Sequence, residues 1–364
     1  MKIIWVVRPA EGGILQHLQQ LLKGIPDLDI VVVGPPDLQK WAGQRRFIPL
    51  DLVDGLSLKR DFSASRKLRR LLREEKASVV HAHGLKAALI TATALAPARH
   101  PHFLFTAHNS LPQSPSKLTQ WGANKIQRWM FNGMNTIISV SDAVRSQIIR
   151  YVPERKVLTI YNGIASSNFG DYPPDTSRVP LGLALDDHVV GTVARLIPGK
   201  GLSTLLEAMS LIAKIVPRLH LVIVGDGPER SKLEQYSRGL GLDRNVKFLG
   251  WRDDVPALMG GWDCFALPSL SEGFNLSVLE AMASRLPVVV SDLPALREAV
   301  VSGRGGLLVA PGNAPEWAAA LLHVLKSPDK AKAMGEYNRQ RVDTFFGEDR
   351  MVRCTRALYE GLMT

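Results

Sequence analysis

Short, apolar, β-branched segments recur along this chain with helical-period stretches between them. Lys2 to Val7, Leu28 to Val33, Ser78 to His81, His102 to Thr106, Asn135 to Val140 and Val157 to Ile160 form a first set. His188 to Val193, His220 to Val224, Asn245 to Leu249, Asp263 to Leu267, Pro287 to Val290 and Gly306 to Val309 form a second. Strands this apolar must be covered on both faces, which parallel sheets flanked by helices achieve. The pattern restarts after Asn168 to Asp187, where Gly170, Pro173, Pro174, Pro180 and Gly182 discourage regular elements. The expectation is two tandem α/β units that meet near residue 170, with right-handed crossovers and ligand sites at the carboxyl ends of strands.

A length of 364 residues fits two domains, and 46% hydrophobic with 22% charged residues excludes collagen, disorder and small disulfide scaffolds. Ala87 to Ala98 is apolar but holds two Thr and a Pro, and it falls short of the ~20 residues a spanning helix needs. Met1 to Val7 leads from a short apolar run into Arg8-Pro9, unlike a secretory signal, so a cytoplasmic protein is expected. Cys264 and Cys354 have neither disulfide-framework nor zinc spacing and are expected to be buried as small hydrophobes.

The net charge of +11 is unevenly spread. Residues 1–168 carry 23 Lys and Arg against 11 Asp and Glu, whereas the remainder carries 22 against 23. The first half therefore faces something anionic, such as a membrane surface or a phosphorylated substrate. Without zinc-finger spacing or basic-aromatic interleaving, no nucleic-acid partner is expected. Between Asp61 and Lys76, Leu68, Leu71 and Leu72 share a helical face ringed by Arg66, Lys67, Arg69, Arg70 and Arg73. This is either an ordinary surface helix or a docking face for anionic lipid. Trp121, Ile126, Trp129, Met130 and Phe131, with Lys125 and Arg128, admit the same two readings.

Chemistry concentrates where strands end. After the first strand, Glu11-Gly12-Gly13 opens a helix, and a helix start without Cβ atoms admits an anion or a hydroxyl closely. It is not the Gly-x-Gly-x-x-Gly fingerprint, which argues against NAD. His81, His83 and His108 fall at predicted strand ends, in HAHG and TAHN, where an imidazole can bond a hydroxyl or move a proton. Metal binding by His81 and His83 finds no acidic or thiol partner nearby, so no metal is expected. Asp27-Leu28-Asp29 has the letters of a metal motif but sits at the amino end of its strand. In the second half, Arg195 and Lys200 lie on the loop after its first strand, suited to a diphosphate or simply solvated. Glu272 and Glu280 then bracket the start of a helix. A capping box, Ser277-x-x-Glu280, accounts for Glu280 but not for Glu272 or for the amides of Gly273 to Asn275.

Taken in order, the Gly-Gly loop, HAHG, TAHN, SVSDAV, IYNGI, ARLIPGKG, IVGDGPE, FLG and the Glu-x7-Glu element resemble the family 4 retaining glycosyltransferases of the GT-B fold, from Gly12 to about Val309. The resemblance implies two Rossmann-like parallel-sheet domains facing a central cleft: an acceptor domain over residues 1–169, a nucleotide-sugar donor domain over 170–345, and a terminal helix over 346–364 packing back on the first. It assigns the transferred sugar to Glu272 and His108, and the ribose and base to Glu280 and Arg252. The diphosphate falls to Arg195, Lys200, Gly12, Gly13 and the amides of Phe274, Asn275 and Leu276. Glu11, His83 and Asn109 border the acceptor. Asn275 stands where the family commonly has Gly, and Ser277 where it often has Pro.

The implied reaction replaces a nucleoside diphosphate (UDP, GDP or ADP) with retention at the anomeric carbon, with no cofactor and no metal. The implied acceptor is a sugar or lipid-linked glycan of a cell-envelope polysaccharide pathway, reached from the inner face of the membrane. Alternatives are a transferase for a small soluble acceptor, a nucleotide-sugar epimerase of the same architecture, and a nucleotide-sugar-binding protein without turnover.

Overall fold

The computed structural model describes residues 2–362 apart from 11, 54, 56, 97–100, 113–116, 171 and 217. It divides into two compact units, Met1–Asn162 with Met351–Thr364, and Gly163–Arg350.

The first unit is built on a parallel sheet of seven strands: β1 (Lys2–Val7), β2 (Asp29–Gly34), β3 (Phe47–Pro49), β4 (Val79–His83), β5 (His102–Ala107), β6 (Thr136–Ser139) and β7 (Val157–Thr159). Their order is β3-β2-β1-β4-β5-β6-β7. In β1 every residue after Lys2 is buried, as a central strand with helices on both faces requires. Edge strand β3 was not expected: three residues ending in Pro are too short to show a period.

The helix Leu58–Glu74 buries Ala64, Ser65, Leu68 and Leu72. One of its arginines is not a surface charge. Arg69 donates to the carbonyls of Ala94, Thr93 and Ala96 at 2.7, 3.1 and 2.7 Å, and so satisfies the end of the helix Leu85–Leu95. On the helix Lys117–Asn132 the aromatic cluster divides: Met130 and Phe131 are buried, while Trp121, Ile126 and Trp129 are exposed.

The chain's last helix, Glu348–Gly361, buries Met351, Thr355 and Tyr359. Met351 and Tyr359 join the core around Ile3, Trp5 and Leu104. Trp5 Nε1 donates to the Tyr359 hydroxyl at 2.9 Å, and Arg356 pairs with Asp27. Cys354 lies on the outer side of this helix and is exposed, which corrects the expectation that both cysteines are buried; Cys264 is.

The second unit carries six parallel strands: β8 (His188–Val193), β9 (Leu219–Val224), β10 (Val246–Gly250), β11 (Cys264–Leu267), β12 (Val288–Ser291) and β13 (Gly306–Val309). Their order is β10-β9-β8-β11-β12-β13. Its core gathers Val190, Leu205, Met209, Ile223, Ala266 and Trp317. The segment expected to lack regular elements contains one helical turn, Asp175–Arg178. Buried Arg178 anchors it, donating to the carbonyl of Gly261 at 2.8 Å and pairing with Asp263 at 2.8 Å. Ile164 and Phe346 bond to each other's strand-like segments within this unit, the Ile164 amide donating to the Phe346 carbonyl at 2.9 Å.

Candidate functional site

In each sheet the strand order reverses direction at one place, and the loops on its carboxyl side are where open α/β sheets hold ligands. In the second unit that place is between β8 and β11. The loop after β8 carries Arg195 and Lys200, and the loop after β11 carries Ser269 and Glu272. The two loops are tied directly, the Leu270 amide donating to the Gly199 carbonyl at 2.9 Å. Gly201 makes the approach possible: its φ is +62°, and a Cβ there would stand 2.1 Å from the Pro268 carbonyl oxygen.

Three donors converge on one oxygen of Glu272. Lys200 Nζ and Ser269 Oγ each lie 2.6 Å from Oε1, and Asn275 Nδ2 donates to it at 3.1 Å. The Glu272 side chain is 8% exposed and that of Lys200 19%, so the ion pair is largely screened from water. Asn275 has a second task, because its Oδ1 accepts the Val278 amide at 3.1 Å and caps the helix Leu276–Ala283. The cap is therefore Asn275 and not Ser277, and the capping-box register expected for Glu280 does not form. Glu280 is a buried side chain one turn into that helix.

Phe274 buries its ring against Phe346, centroids 5.3 Å apart. Arg195 is exposed. Arg252 is also exposed and pairs with Asp254 at 2.7 and 2.5 Å, which pushes the guanidinium pKa up. Lys200, Glu272, Asn275 and Ser269 are thus brought together. Ser269 was missed by the sequence reading, since a serine three residues before a glutamate carries no signal until the loop is folded.

In the first unit the reversal lies between β1 and β4. Gly12 precedes the helix Gly13–Gly24 with φ +59°, and Gly13 opens that helix exposed. Gly84, after β4, has φ +88°, and the side chain of Arg8 lies over it, 2.7 Å from where a Cβ would stand. His83 ends β4, His108 follows β5, and both are buried with His17 of the first helix. His83 Nδ1 and His108 Nε2 are 3.3 Å apart, and the His17 and His108 rings meet edge to face at 4.8 Å. Asn109 is exposed beside them, and Glu11 lies outside the described residues.

Burial holds these imidazoles neutral. His17 is pushed down to about 4, opposed only by a hydrogen bond with Asn162, and His81 to about 3. His83 and His108 are driven well below the usual histidine value, by burial first and then by the charges of neighbouring histidines, with Arg8 adding to the effect on His108.

His81 is structural, and its tautomer follows from its partners. The Trp5 indole can only donate, so the Tyr359 oxygen accepts from it and its hydroxyl hydrogen goes to His81 Nδ1 at 2.6 Å. His81 Nε2 must then donate to Thr106 Oγ1 at 2.7 Å. His17 and Arg8 were the residues missed here. The one available signal was a histidine placed between Leu15 and Leu18 on the apolar face of a helix.

Residues 174–341 match the family described as glycosyl transferases group 1, and residues 11–167 match glycosyltransferase family 4. A galactosyltransferase of Escherichia coli, named as acting from UDP-Gal on alpha-D-GlcNAc-diphosphoundecaprenol, is 29% identical over 77% of this chain and 74% of its own. A phosphatidyl-myo-inositol mannosyltransferase of Mycolicibacterium smegmatis is 29% identical over 86% of this chain and 81% of its own. Among solved structures, Anabaena HepE in complex with UDP superposes with a TM-score of 0.85 at 24% identity, covering 99% of this chain and 100% of that one. Both units follow the Rossmann-like pattern of the GT-B fold. The chain belongs to the family 4 (group 1) glycosyltransferases, and it is a transferase.

Proposed function

We propose that this enzyme moves a sugar from a uridine diphosphate sugar to a hydroxyl of a lipid-linked, cell-envelope acceptor, with retention at the anomeric carbon and without a metal ion. The observation that carries the proposal is the Lys200–Glu272 pair, set at the strand reversal of the second unit with Glu280 one turn into the adjoining helix. In this reading Lys200 exchanges the Glu272 carboxylate for the donor's diphosphate, with Arg195 as a second cation. Glu272, still held by Ser269 and Asn275, accepts the sugar hydroxyls, Glu280 the ribose hydroxyls, and Arg252 borders the base. The amides of Phe274, Asn275 and Leu276 complete the anion-binding end of the helix.

In the first unit, Gly12 and Gly13 offer helix-start amides to a phosphate oxygen, and His108 offers a neutral ring to a sugar hydroxyl. Glu11, His83 and Asn109 border the acceptor. Charge develops on the departing phosphate, and a cation aimed there need lower the barrier by only ~2.7 kcal/mol to give 100-fold. The UDP in the HepE structure and the diphospholipid named for the E. coli relative support the choice of base and acceptor.

A thermal-shift screen against UDP, GDP and ADP, in EDTA, tests the donor site. UDP at 100 times its dissociation constant stabilises by ~2.7 kcal/mol. The shift is expected with UDP, and it is expected to disappear in Glu280→Ala and Arg195→Ala. No shift with any nucleotide rules the reading out.

The acceptor's lipid places the enzyme at the cytoplasmic membrane face. The helices Leu58–Glu74 and Lys117–Asn132 both pack on Leu85–Leu95 and expose Phe62 and Trp121, with Lys125 stacked 3.5 Å over the Trp121 ring. Arg66, Arg70 and Arg73 add positive charge to the same helix pair. No helix among the described residues is long and apolar enough to cross a membrane. Sedimentation with anionic vesicles is expected at low salt, and it should weaken at high salt and on replacing Arg66 and Arg73 by glutamate. Equal binding to neutral vesicles would remove the electrostatic argument.

A further inference from the structure

His17, His83 and His108 hold more nitrogen than their surroundings can use. Each offers one ring nitrogen to a common space, and those atoms lie within 4.8 Å of one another. Nδ1 of His17 is buried with no hydrogen-bond partner among the described residues. An unmet buried polar atom destabilises the fold, which leucine or methionine in its place would not do. The neighbouring His81 differs, because Tyr359 and Thr106 occupy both of its nitrogens.

The spacing has a chemical meaning. At 3.3 Å, the contact between His83 Nδ1 and His108 Nε2 is long for a hydrogen bond. It equals the edge of a tetrahedron, about 3.3 Å, spanned by two nitrogens that each sit 2.0–2.1 Å from one zinc ion. The third nitrogen, from His17, lies within 4.8 Å of both. Burial keeps all three rings deprotonated at neutral pH, as metal ligands must be.

We propose that His17, His83 and His108 form a three-imidazole site for one borderline transition cation, zinc foremost, with the fourth position open to an oxygen ligand. Imidazoles without carboxylates select zinc, nickel or copper over magnesium and calcium. Arg8, whose charge acts on His108, favours an anionic fourth ligand such as hydroxide or phosphate. The metal-binding claim stands on the first unit alone. Its consequence for turnover rests on the transferase reading: a metal on His108 withdraws that ring from the sugar, so zinc inhibits.

The test uses the untagged full chain stripped with EDTA and titrated with Co²⁺, followed by the visible absorption of a four-coordinate cobalt complex. One Co²⁺ per chain is expected, displaced by one Zn²⁺. Affinity should fall at least tenfold in His17→Asn and in His108→Asn and stay unchanged in His323→Asn, which alters an exposed histidine of the second unit. Circular dichroism identifies any variant that has not folded, and His17→Asn, on a surface helix, carries the test if His108→Asn fails. No four-coordinate spectrum, or one that survives both cluster substitutions, overturns the site. Metal binding without zinc inhibition supports the site and counts against the role given to His108.

Discussion

Lys200→Ala is expected to lower the rate of sugar transfer by two to three orders of magnitude while weakening the second unit. Removing a cation aimed at developing negative charge has an effect of about 2.7–4 kcal/mol on a barrier of this kind. The same substitution removes the Lys200 end of the ion pair with Glu272, whose side chain is 8% exposed. A buried pair broken from one side costs about 3–5 kcal/mol, and the partial exposure of Lys200 puts this case at the lower end. The two effects separate in a double-mutant cycle. Adding Glu272→Gln removes the opposite charge and keeps an acceptor for Ser269, so the melting temperature should recover while transfer stays slow. UDP release from the donor sugar, followed beside thermal unfolding, reads both. If Lys200→Ala lost stability but kept its transfer rate, the pair would be a structural tie only.

Acid should unfold the first unit before the second. In the unfolded chain a histidine titrates near 6.5, whereas folding pushes His17 down to about 4 and His81 to about 3, with His83 and His108 also well below their usual value. Below pH 6.5 the unfolded state therefore takes up protons that the folded state refuses. Stability is complete above 6.5 and is lost as pH falls toward the folded values. At pH 5 His17 and His81 each contribute a loss of about 2 kcal/mol. His83 and His108 act in the same direction, and a domain is stable by only about 5–15 kcal/mol. Trp5 reports on this directly, since its ring lies 4.8 Å from that of His83. Its fluorescence transition should move from pH 7.5 to pH 5 by far more than the transition of Trp317 in the second unit, and His17→Gln should reduce the difference. Equal shifts in both units would place the acid sensitivity elsewhere.

The sheets were legible because buried parallel strands must be nearly all apolar, so β1 and β8 show in the sequence with their ends in place. Polar residues whose partners are distant in sequence were not. Arg69 reads as one more surface charge until three carbonyls at the end of the next helix are placed around it. Asn275 replaces the expected cap because its side chain reaches both the Val278 amide and Glu272, a geometry fixed by the loop and not by spacing. His17 was hidden for the opposite reason, since an inward-facing histidine on an amphipathic helix matters only once β4 and β5 bring two more against it.

The Tyr359 contact bears on how the protein is made. Its hydroxyl joins Trp5 and His81 in the middle of the first sheet, although all strands of that sheet are complete 200 residues earlier in the sequence, by Thr159 (359 − 159). A ribosome adding 5–20 residues per second needs roughly 10–40 s to cover that distance. For that interval the nascent first unit exposes the apolar seat of its last helix and leaves the buried ring of His81 short of its partner. The second unit, continuous from Gly163 to Arg350, has no such wait. The half made first is thus finished last. A product cut off between Arg350 and Tyr359 would therefore carry a complete second unit and an unfinished first one, and its amino-terminal half is the part that chaperones and proteases would recognise.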